Sequence, residues 1–521
     1  MPPEPHNYMA PMRDGVRLAT TVRPPTGSDG PWPAILVRTP YGRDTVFDWQ
    51  MERLASYGYV TVVQDTRGRF DSEGESVVFA ADGWGEKQDG YDTVEWVASQ
   101  PWCEGRVGML GVSALGITQY LAAGSAPPHL SCCHVGIASA DSYRHSTFQG
   151  GGYRKSLLER WLADNRFDTQ RQVEEIRRHR LYDDLWAAAD LPARAGHVSV
   201  PILHYGGWYD CFAQGTLDAF VALQHSGGPG ARGRQRLIMG PWPHGMAKDF
   251  GEAHLPDDVL TPPHIDPLEW FDRHLKGQET GADSVAPVHY YTIGDVTDPR
   301  AGANRWRQAD DWPVPCVYAS MFLGSDGLLR GKRAAEGDPV RIVSNPVDPV
   351  PTMGGANLFL GKGPYDQRPI ERRGDVVTFT SDPLAEPLEV TGRVRAHVYL
   401  SSSAVDADIC VRLCDVRLDG RSLLVCDGIC RARYREGFDK AVLLDPGQIA
   451  KLDVDLWSTS YVFNPGHRIR LTVSGSNYPR FDTNPHTGED SPHVAVGVPA
   501  THLIHTCGDR ASHLHLPVAS G

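Results

Sequence analysis

This 521-residue sequence lacks the features that define several large classes of protein. It contains no run of 18 apolar residues, so no helix that spans a membrane is expected. It has no basic excess, because 51 Lys and Arg stand against 64 Asp and Glu for a net charge of −13. Such an acidic balance argues against a nucleic-acid-binding protein, whose binding face would be basic. The motifs Gly-x-x-x-x-Gly-Lys-Ser/Thr and His-Glu-x-x-His are also absent, so no nucleotide, flavin or metal cofactor is expected.

The first residues combine neither a basic segment nor an apolar one, so no export signal is expected. The ten cysteines are spread along the chain and are expected to be buried thiols in a reducing, cytoplasmic environment. Two pairs, Cys410 with Cys414 and Cys426 with Cys430, could hold zinc. They flank the hairpin turn Asp419-Gly420, however, and alternation along the two strands places the pairs on opposite faces of the sheet. We therefore expect core cysteines and no metal.

What the sequence does contain is a strand–turn–helix pattern around Ser113. An apolar run ends in Gly111-Val112-Ser113-Ala114-Leu115-Gly116, and a helical segment follows immediately. Glycines two before and three after the serine keep Cβ atoms out of a tight turn. The N-terminus of the helix supplies backbone N–H groups that suit a developing oxyanion. The pattern predicts a nucleophile elbow, with Gly116 one residue later than in the usual Gly-x-Ser-x-Gly motif. A structural corner with a capping serine is the alternative.

Other chemically active residues follow apolar strands in the same way. Tyr41 and Asp65 come after the two buried strands that precede the elbow, Asp210 follows the strand near residue 203, and His244 follows the next one. Alternating strands and helices predict an α/β fold with a mostly parallel sheet, in which such positions meet at one edge. The order Ser, Asp, His is that of α/β-hydrolase triads. Taken singly, Asp210 could be a helix cap and His244 a loop histidine.

Changes of pattern along the chain predict its domain organisation. Residues 1–142 and 193–284 carry the alternation of strands and helices and are expected to form the α/β domain. Between them, residues 143–192 contain two charged amphipathic helices, Ser156–Leu162 and Gln172–Leu185, with no strand between the two, which is typical of an inserted cap. From residue 285 to 521 the helices stop. Short strands separated by Pro, Gly and Asp predict a C-terminal β-sandwich of the jelly-roll type there, beginning with the strand Val288–Thr292.

These residues resemble the cocaine-esterase-like and X-Pro dipeptidyl-peptidase-like serine hydrolases over nearly the whole chain. The motifs that carry the resemblance are Met12–Leu18, Pro40-Tyr41, Gln64–Gly68, Gly111-Val112-Ser113 with Gly116, Gly207–Asp210, Gly240-Pro241-Trp242 with His244, and Asn464–Ile469. The resemblance implies an α/β-hydrolase domain, an inserted helical cap and a jelly roll. It also implies that Ser113 is the nucleophile, His244 the general base and acid, and Asp210 the residue that orients the imidazole. The oxyanion donors would be the Tyr41 hydroxyl and the backbone N–H of Ala114, a position where relatives often have tyrosine.

The sequence therefore predicts a cofactor-independent serine hydrolase that cleaves a small-molecule ester through an acyl-enzyme. Amide or peptide cleavage, of the X-Pro dipeptidyl-peptidase or α-amino ester hydrolase type, is the main alternative. It would require a carboxylate that binds the ammonium group of the substrate, and the cap offers Asp164, Glu174, Glu175, Asp183 and Asp184. A non-catalytic binding protein on the same scaffold is the third alternative. A homodimer is left open, because no stretch of the sequence predicts one.

Overall fold

The computed structural model describes residues 4–27, 30–46, 48–76, 78–298, 302–489 and 497–519. In chain order its strands are β1 (His6–Pro11), β2 (Arg17–Arg23), β3 (Trp32–Thr39), β4 (Val60–Asp65), β5 (Cys103–Val112), β6 (Leu130–Gly136), β7 (Phe148–Gln149), β8 (Gly152–Tyr153), β9 (Ile202–Gly207), β10 (Arg236–Gly240), β11 (Asp249–Phe250), β12 (Ala253–His254), β13 (Val288–Thr292), β14 (Arg305–Ala309), β15 (Cys316–Leu323), β16 (Leu329–Arg330), β17 (Val340–Ser344), β18 (Val376–Thr380), β19 (Leu388–Ser402), β20 (Asp408–Val416), β21 (Ser422–Arg431), β22 (Ile449–Phe463), β23 (Arg468–Ser474), β24 (Ala500–Ile504) and β25 (His513–Ala519). Its helices are α1 (Asp48–Ser56), α2 (Asp89–Ala98), α3 (Ala114–Gly124), α4 (Lys155–Asp164), α5 (Thr169–Arg178), α6 (Asp184–Ala187), α7 (Ala213–Ser226), α8 (Pro267–Lys276) and α9 (Arg368–Glu371).

The N-terminal half is built on a sheet with the strand order β1-β2-β4-β3-β5-β6-β9-β10-β13-β14. All pairings from β4 to β13 are parallel. Helices α2, α3 and α7 contribute apolar residues to the core on one face, and α1 and α8 to the core on the other. Because this sheet is covered on both faces, all six residues of β4 are buried, the polar Thr61, Gln64 and Asp65 among them. The structure confirms the predicted α/β class with a mostly parallel sheet.

The strand Val288–Thr292 does not belong to the sandwich, so this part of the prediction is wrong. It is β13, which pairs in parallel with β10, with Leu237 opposite Val288 and Met239 opposite Tyr290. Helix α8 lies between β10 and β13 in the chain and makes the crossover that a parallel pair requires. Strand β14 then closes this edge in the antiparallel sense. All five residues of β13 are buried, and a short buried run looks the same in either kind of sheet.

The segment between β6 and β9 holds the hairpin β7–β8 and the helices α4, α5 and α6; we call it the helical insertion. The sequence predicts one helix over Gln172–Leu185, but the structure breaks it after Arg178. Asp183 ends the break: its carboxylate accepts a hydrogen bond from Leu185 N and pairs with His179 at 2.6 Å. An aspartate side chain that caps the start of α6 favours a new helix over the continuation of α5. The limits 143–192 for a cap domain stay a prediction.

The C-terminal half consists of two antiparallel sheets packed face to face. One has the order β16-β15-β25-β19-β24-β17, with β22 also paired to β19, and the other has the order β18-β23-β20-β21. Apolar side chains of both sheets share one core, among them Val394, Val398, Leu413 and Leu471. This is the predicted β-sandwich, with β15 as its first strand.

The cysteine pairs of β20 and β21 lie on opposite faces of their sheet, as predicted. Cys426 and Cys430 belong to the sandwich core, whereas Cys410 packs with Ile429 and Phe481 in a separate cluster. Next to the Asp419-Gly420 turn the register is one residue off that of a two-residue loop, with Arg417 bonded to Arg421 and Cys414 opposite Leu424. The bulge at Leu413/Cys414 then restores the expected register. All ten cysteines are free thiols. Among the described residues, no helix is long and apolar enough to cross a membrane.

The close approach of α3 to the end of β6 predicts that Gly116 cannot be enlarged without cost. A Cβ at residue 116 would lie 2.6 Å from the Ala138 Cβ. We expect Gly116→Ala to lower the free energy of unfolding by about 1–3 kcal/mol, because the backbone must shift to relieve this overlap. Urea unfolding measures the change. The control is Gly85→Ala, whose Cβ would meet its nearest neighbour at 3.7 Å; equal losses in both variants would contradict the steric explanation.

Candidate active site

Ser113 lies in the turn between β5 and α3, with φ +57° and ψ −125°. Its backbone N–H donates to the Gly136 carbonyl at 2.9 Å, and its carbonyl accepts from Ile117 N at 2.9 Å. A Cβ at Gly111 would lie 2.5 Å from the Leu115 Cβ, so the turn closes only with glycine there. The left-handed backbone of a non-glycine residue is the strained geometry of a nucleophile elbow. The late glycine of the motif, Gly116, is the residue of α3 that faces the end of β6.

The loops that follow β9 and β10 are joined by main-chain hydrogen bonds. Trp208 N donates to Gly240 O, and Tyr209 N donates to Trp242 O, both at 3.0 Å. A Cβ at Gly207 would lie 2.2 Å from the Trp242 carbonyl oxygen, so a glycine is required where the loops meet. The aspartate of one loop and the histidine of the other are therefore held as one unit.

His244 connects Asp210 to Ser113. Its Nδ1 lies 2.7 Å from Asp210 Oδ1, and its Nε2 lies 2.9 Å from Ser113 Oγ. The Asp210 carboxylate is fully buried and the His244 side chain is 9% exposed. Burial acts to lower the pKa of His244, but the neighbouring Cys211 and Asp210 outweigh it, so that this pKa lies above its ordinary value of 6.5. The arrangement can accept a proton from a serine hydroxyl and stabilise the imidazolium that forms.

Tyr41 presents its hydroxyl to the same serine. The side chain interacts with Ser113, and Trp161 Nε1 of the helical insertion donates to the Tyr41 Oη at 3.0 Å. Burial raises the pKa of Tyr41, so the phenol stays protonated and can donate. Ala114 is the first residue of α3, where backbone N–H groups have no partner within the helix. Two donors thus flank the serine.

Asp65 lies at the predicted edge but serves the loop rather than the chemistry. Its two carboxylate oxygens accept from Arg43 N and from Arg43 Nη1, both at 2.7 Å. This bidentate contact fixes the loop that carries Tyr41. The structure thus brings Ser113, Asp210 and His244 together with Tyr41 and Ala114. Asp65 supports the loop of Tyr41 through Arg43.

Sequence reasoning missed two residues of the site. Trp161 lies far along the chain, on a helix whose docking no local pattern reveals. Cys211 places its Sγ 3.5 Å from His244 Nδ1. Its position next to Asp210 was the one signal that could have singled it out among the cysteines.

A cavity of about 1030 Å³, counted out to its open mouth, has Ser113 and Ala114 in its wall. Aliphatic and aromatic side chains form most of the lining, from the α3 region, from the helical insertion and, through Leu358, from the sandwich half of the chain. Representative residues are Phe79, Ile117, Leu157, Ile176, Trp186 and Phe212. A pocket of this size and character suits an apolar group of a small molecule.

Of the five carboxylates that the sequence offers as ammonium ligands, Glu175 is the one that lines this cavity. Its two oxygens already lie 2.6 Å from Arg178 Nη1 and 3.3 Å from His179 Nε2. The other four do not line the cavity: Asp183 caps α6 and pairs with His179, and the remaining three, Asp164, Glu174 and Asp184, are exposed.

A serine bonded to a histidine that is bonded to a buried aspartate, at the carboxyl edge of a mostly parallel sheet, is the geometry of a serine hydrolase with the α/β-hydrolase fold. Comparison with known families agrees. The family described as X-Pro dipeptidyl-peptidase (S15 family) matches residues 14–175 and 163–246, and the X-Pro dipeptidyl-peptidase C-terminal non-catalytic domain matches residues 280–515.

Individual relatives match over almost the whole chain. Cocaine esterase of Rhodococcus sp. (strain MB1 Bresler) is 34% identical, with 98% of each chain covered. Two solved structures share the fold at 24% identity, with 99% of this chain and 96% of the other covered in each case. They are an aminopeptidase from the marine sediment archaeon Thaumarchaeota archaeon, with a TM-score of 0.85, and an α-amino acid ester hydrolase, with a TM-score of 0.83. The chain belongs to the cocaine-esterase-like and X-Pro dipeptidyl-peptidase-like family of serine hydrolases, and its interpretation from sequence as a serine ester hydrolase is confirmed.

Proposed function

We propose that the protein hydrolyses small-molecule esters with an apolar acyl group, through an acyl-enzyme on Ser113. The observation that carries this proposal is the position of the bonded Ser113, His244 and Asp210 side chains at the wall of a mostly apolar cavity. The cavity receives the acyl group, and the open mouth leaves room for the alcohol part of the ester.

Acylation follows from the positions of the donors and acceptors. Ser113 Oγ forms a bond to the ester carbonyl carbon while its proton passes to His244 Nε2. The electron pair of the C=O bond moves onto oxygen, and this oxyanion accepts hydrogen bonds from the Tyr41 hydroxyl and the Ala114 N–H. When the intermediate collapses, His244 returns the proton to the departing alcohol. Asp210 stabilises the imidazolium throughout.

Deacylation repeats the same steps with water. His244 Nε2 takes a proton from the water whose oxygen attacks the acyl carbon, and the oxyanion forms again between the same two donors. Collapse breaks the bond to Ser113 Oγ, which recovers its proton from His244. The free acid leaves, and the site returns to its starting state.

Cleavage of amides or peptides next to a free amine is the second candidate. It requires an unpaired carboxylate in the cavity, since burying an ammonium group without one costs several kcal/mol. Glu175 is engaged by Arg178 and His179, which supports plain esters over this alternative. The third candidate, a non-catalytic binding protein, would not need the complete set of Ser113, His244 and Asp210 contacts. A cytoplasmic location and a homodimer stay predictions from the sequence.

The first test replaces the nucleophile. We expect Ser113→Ala to lower kcat by roughly a millionfold, because no other group supplies the attacking oxygen. The assay compares aryl and alkyl esters, α-amino esters and Xaa-Pro anilides, with intact-mass detection of the acylated wild type.

The matched control for this test is Ser146→Ala. Ser146 lines the same cavity, and its hydroxyl has no hydrogen-bond partner, so we expect its loss to leave kcat within about twofold. Substantial turnover by Ser113→Ala would contradict the assignment of Ser113 as the nucleophile. Turnover by the wild type confined to substrates with a free amine would overturn the preference for plain esters.

The second test concerns the oxyanion. Tyr41→Phe is expected to lower kcat roughly 100-fold or more, because it removes one donor to the developing charge. Trp161→Phe keeps an aromatic side chain but removes the indole N–H that donates to the phenol, a loss of about 1 kcal/mol or roughly fivefold in kcat.

The double variant separates these two roles. If Trp161 acts through Tyr41, adding Trp161→Phe to Tyr41→Phe lowers kcat no further, since interacting residues are not additive. If the losses in kcat multiply in the double variant, Trp161 acts on the substrate directly. An unchanged kcat in Tyr41→Phe would contradict the role of the Tyr41 hydroxyl as an oxyanion donor.

The third test is the pH profile of kcat/KM. A protonated His244 cannot accept the Ser113 proton, so activity rises with pH as this histidine loses its proton. Because the pKa of His244 is raised, we expect the midpoint of the acid limb to lie above pH 6.5. A midpoint below that value would contradict the environment described for His244.

A further inference from the structure

The side chain of Arg69 bridges the loop of Tyr41 and the helical insertion. Its Nε donates to the carbonyl of Pro40, the residue before Tyr41, at 3.1 Å. Its Nη2 donates to Asn165 O at 2.6 Å and its Nη1 to Arg166 O at 3.4 Å, both at the end of α4. One guanidinium thus bonds to main-chain oxygens of two segments, which the planar fork of arginine allows and a single ammonium group does not.

The end of α4 supplies acceptors that suit a cation. Arg166 has a left-handed backbone, with φ +57°, and Phe167 N donates to Leu162 O at 2.9 Å across this turn. This is the closing turn of a Schellman motif, with a non-glycine residue at the strained position. The last carbonyls of a helix lack partners within it and carry the negative end of its dipole. Arg69 therefore stabilises both the turn and its docking.

Stacked rings connect the same guanidinium to the phenol of Tyr41. The Cζ of Arg69 lies 3.9 Å from the centre of the Phe167 ring. Phe167 stacks on Trp161 with ring centres 5.1 Å apart, and Trp161 Nε1 donates to the Tyr41 hydroxyl at 3.0 Å. These contacts form a closed circuit from the main chain beside Tyr41, through Arg69 and α4, back to its hydroxyl. Both ends of Tyr41 are thus held relative to one helix.

We propose that Arg69 is a positioning residue for hydrolysis, which holds the Tyr41 hydroxyl where the oxyanion forms. The proposal rests on the proposed function, because it takes this hydroxyl as an oxyanion donor. Such a donor is effective only when it is fixed before the charge develops. Loss of Arg69 frees the loop and the end of α4 to move, so the hydrogen bond to the oxyanion weakens while binding of the ester is retained.

The first arm of the test measures kcat and KM of the full-length enzyme on an aryl ester. Arg69→Met keeps a long side chain against Phe167 but removes all three donors. We expect kcat to fall roughly tenfold, with KM within about twofold, because the lost interaction acts in the transition state. Arg69→Lys keeps the charge but cannot bond to both segments, so its kcat should fall to a similar extent. Wild-type kcat in Arg69→Lys, or a raised KM with unchanged kcat in Arg69→Met, would overturn the proposal.

The matched control for this arm is Arg171→Gln. Arg171 of α5 pairs with Glu75 and so also joins the helical insertion to the chain after β4. Its contact involves neither α4 nor the loop of Tyr41, so we expect kcat and KM within about twofold of wild type. A loss of kcat equal to that of Arg69→Met would attribute the effect to docking of the insertion in general and contradict a specific role of Arg69.

The second arm combines Arg69→Met with Tyr41→Phe. Once the hydroxyl is gone, its position no longer affects the rate. The double variant should therefore have a kcat within about twofold of Tyr41→Phe alone, since residues that act through one another are not additive. A further tenfold loss would show that Arg69 acts elsewhere, and the proposal would then be wrong.

The third arm needs no catalysis. Hydrogen exchange is followed by mass spectrometry in peptides that contain residues 41–45 and residues 161–167. Arg69→Met should speed exchange roughly tenfold in both, and Arg171→Gln in neither, because local opening becomes easier where contacts are lost. Unchanged exchange in Arg69→Met would refute the positioning role. If exchange depends on Arg69 while the wild type hydrolyses no ester, the proposed function is wrong and the docking role of Arg69 stands.

Discussion

The left-handed backbone of Ser113 is the constraint on which the catalytic edge depends. A non-glycine residue stays there only because its surroundings leave no alternative. The N–H of Ser113 is bonded to the end of β6, and α3 starts at the next residue. Cβ atoms at Gly111 or Gly116 would collide with Leu115 or Ala138. Ser113 is therefore held, partly exposed, at a fixed position on the edge of the sheet. The other groups of the site have to reach it there.

Asp210 and His244 are positioned relative to Ser113 by backbone hydrogen bonds between their loops as well as by side-chain contacts. The loops after β9 and β10 bind each other through Trp208, Tyr209 and Trp242. Trp208 Nε1 also donates to Tyr291 O of β13, and the Tyr209 hydroxyl donates to Leu424 O of β21. The aspartate loop is thus attached to the edge of the α/β sheet and to the sandwich. The C-terminal half contributes to the geometry of the site as well as to its wall.

The sequence predicted the elements that local pattern controls. The elbow, the order of Ser113, Asp210 and His244, and the strand ends that carry them follow from short-range rules of turn and strand. The predicted placement of β13 was wrong because the sequence of a short buried strand does not indicate which sheet the strand belongs to. The break between α5 and α6 depends on the local cap at Asp183. Sequence reasoning did not find Trp161 and Cys211 because their contacts, with Tyr41 and His244, join segments far apart in the chain.

Burial of the site supports the proposed preference for neutral esters. Asp210 is fully buried and the cavity wall is mostly apolar, and hydrogen bonds to a developing oxyanion are stronger where water is excluded. The same exclusion penalises a charged acyl group, which loses its hydration on entry. Glu175 could offset that loss, but it is 37% exposed and already shared with Arg178 and His179. The buried, apolar surroundings that stabilise the transition state of a neutral ester therefore support the proposed preference for such esters over ammonium-bearing ones.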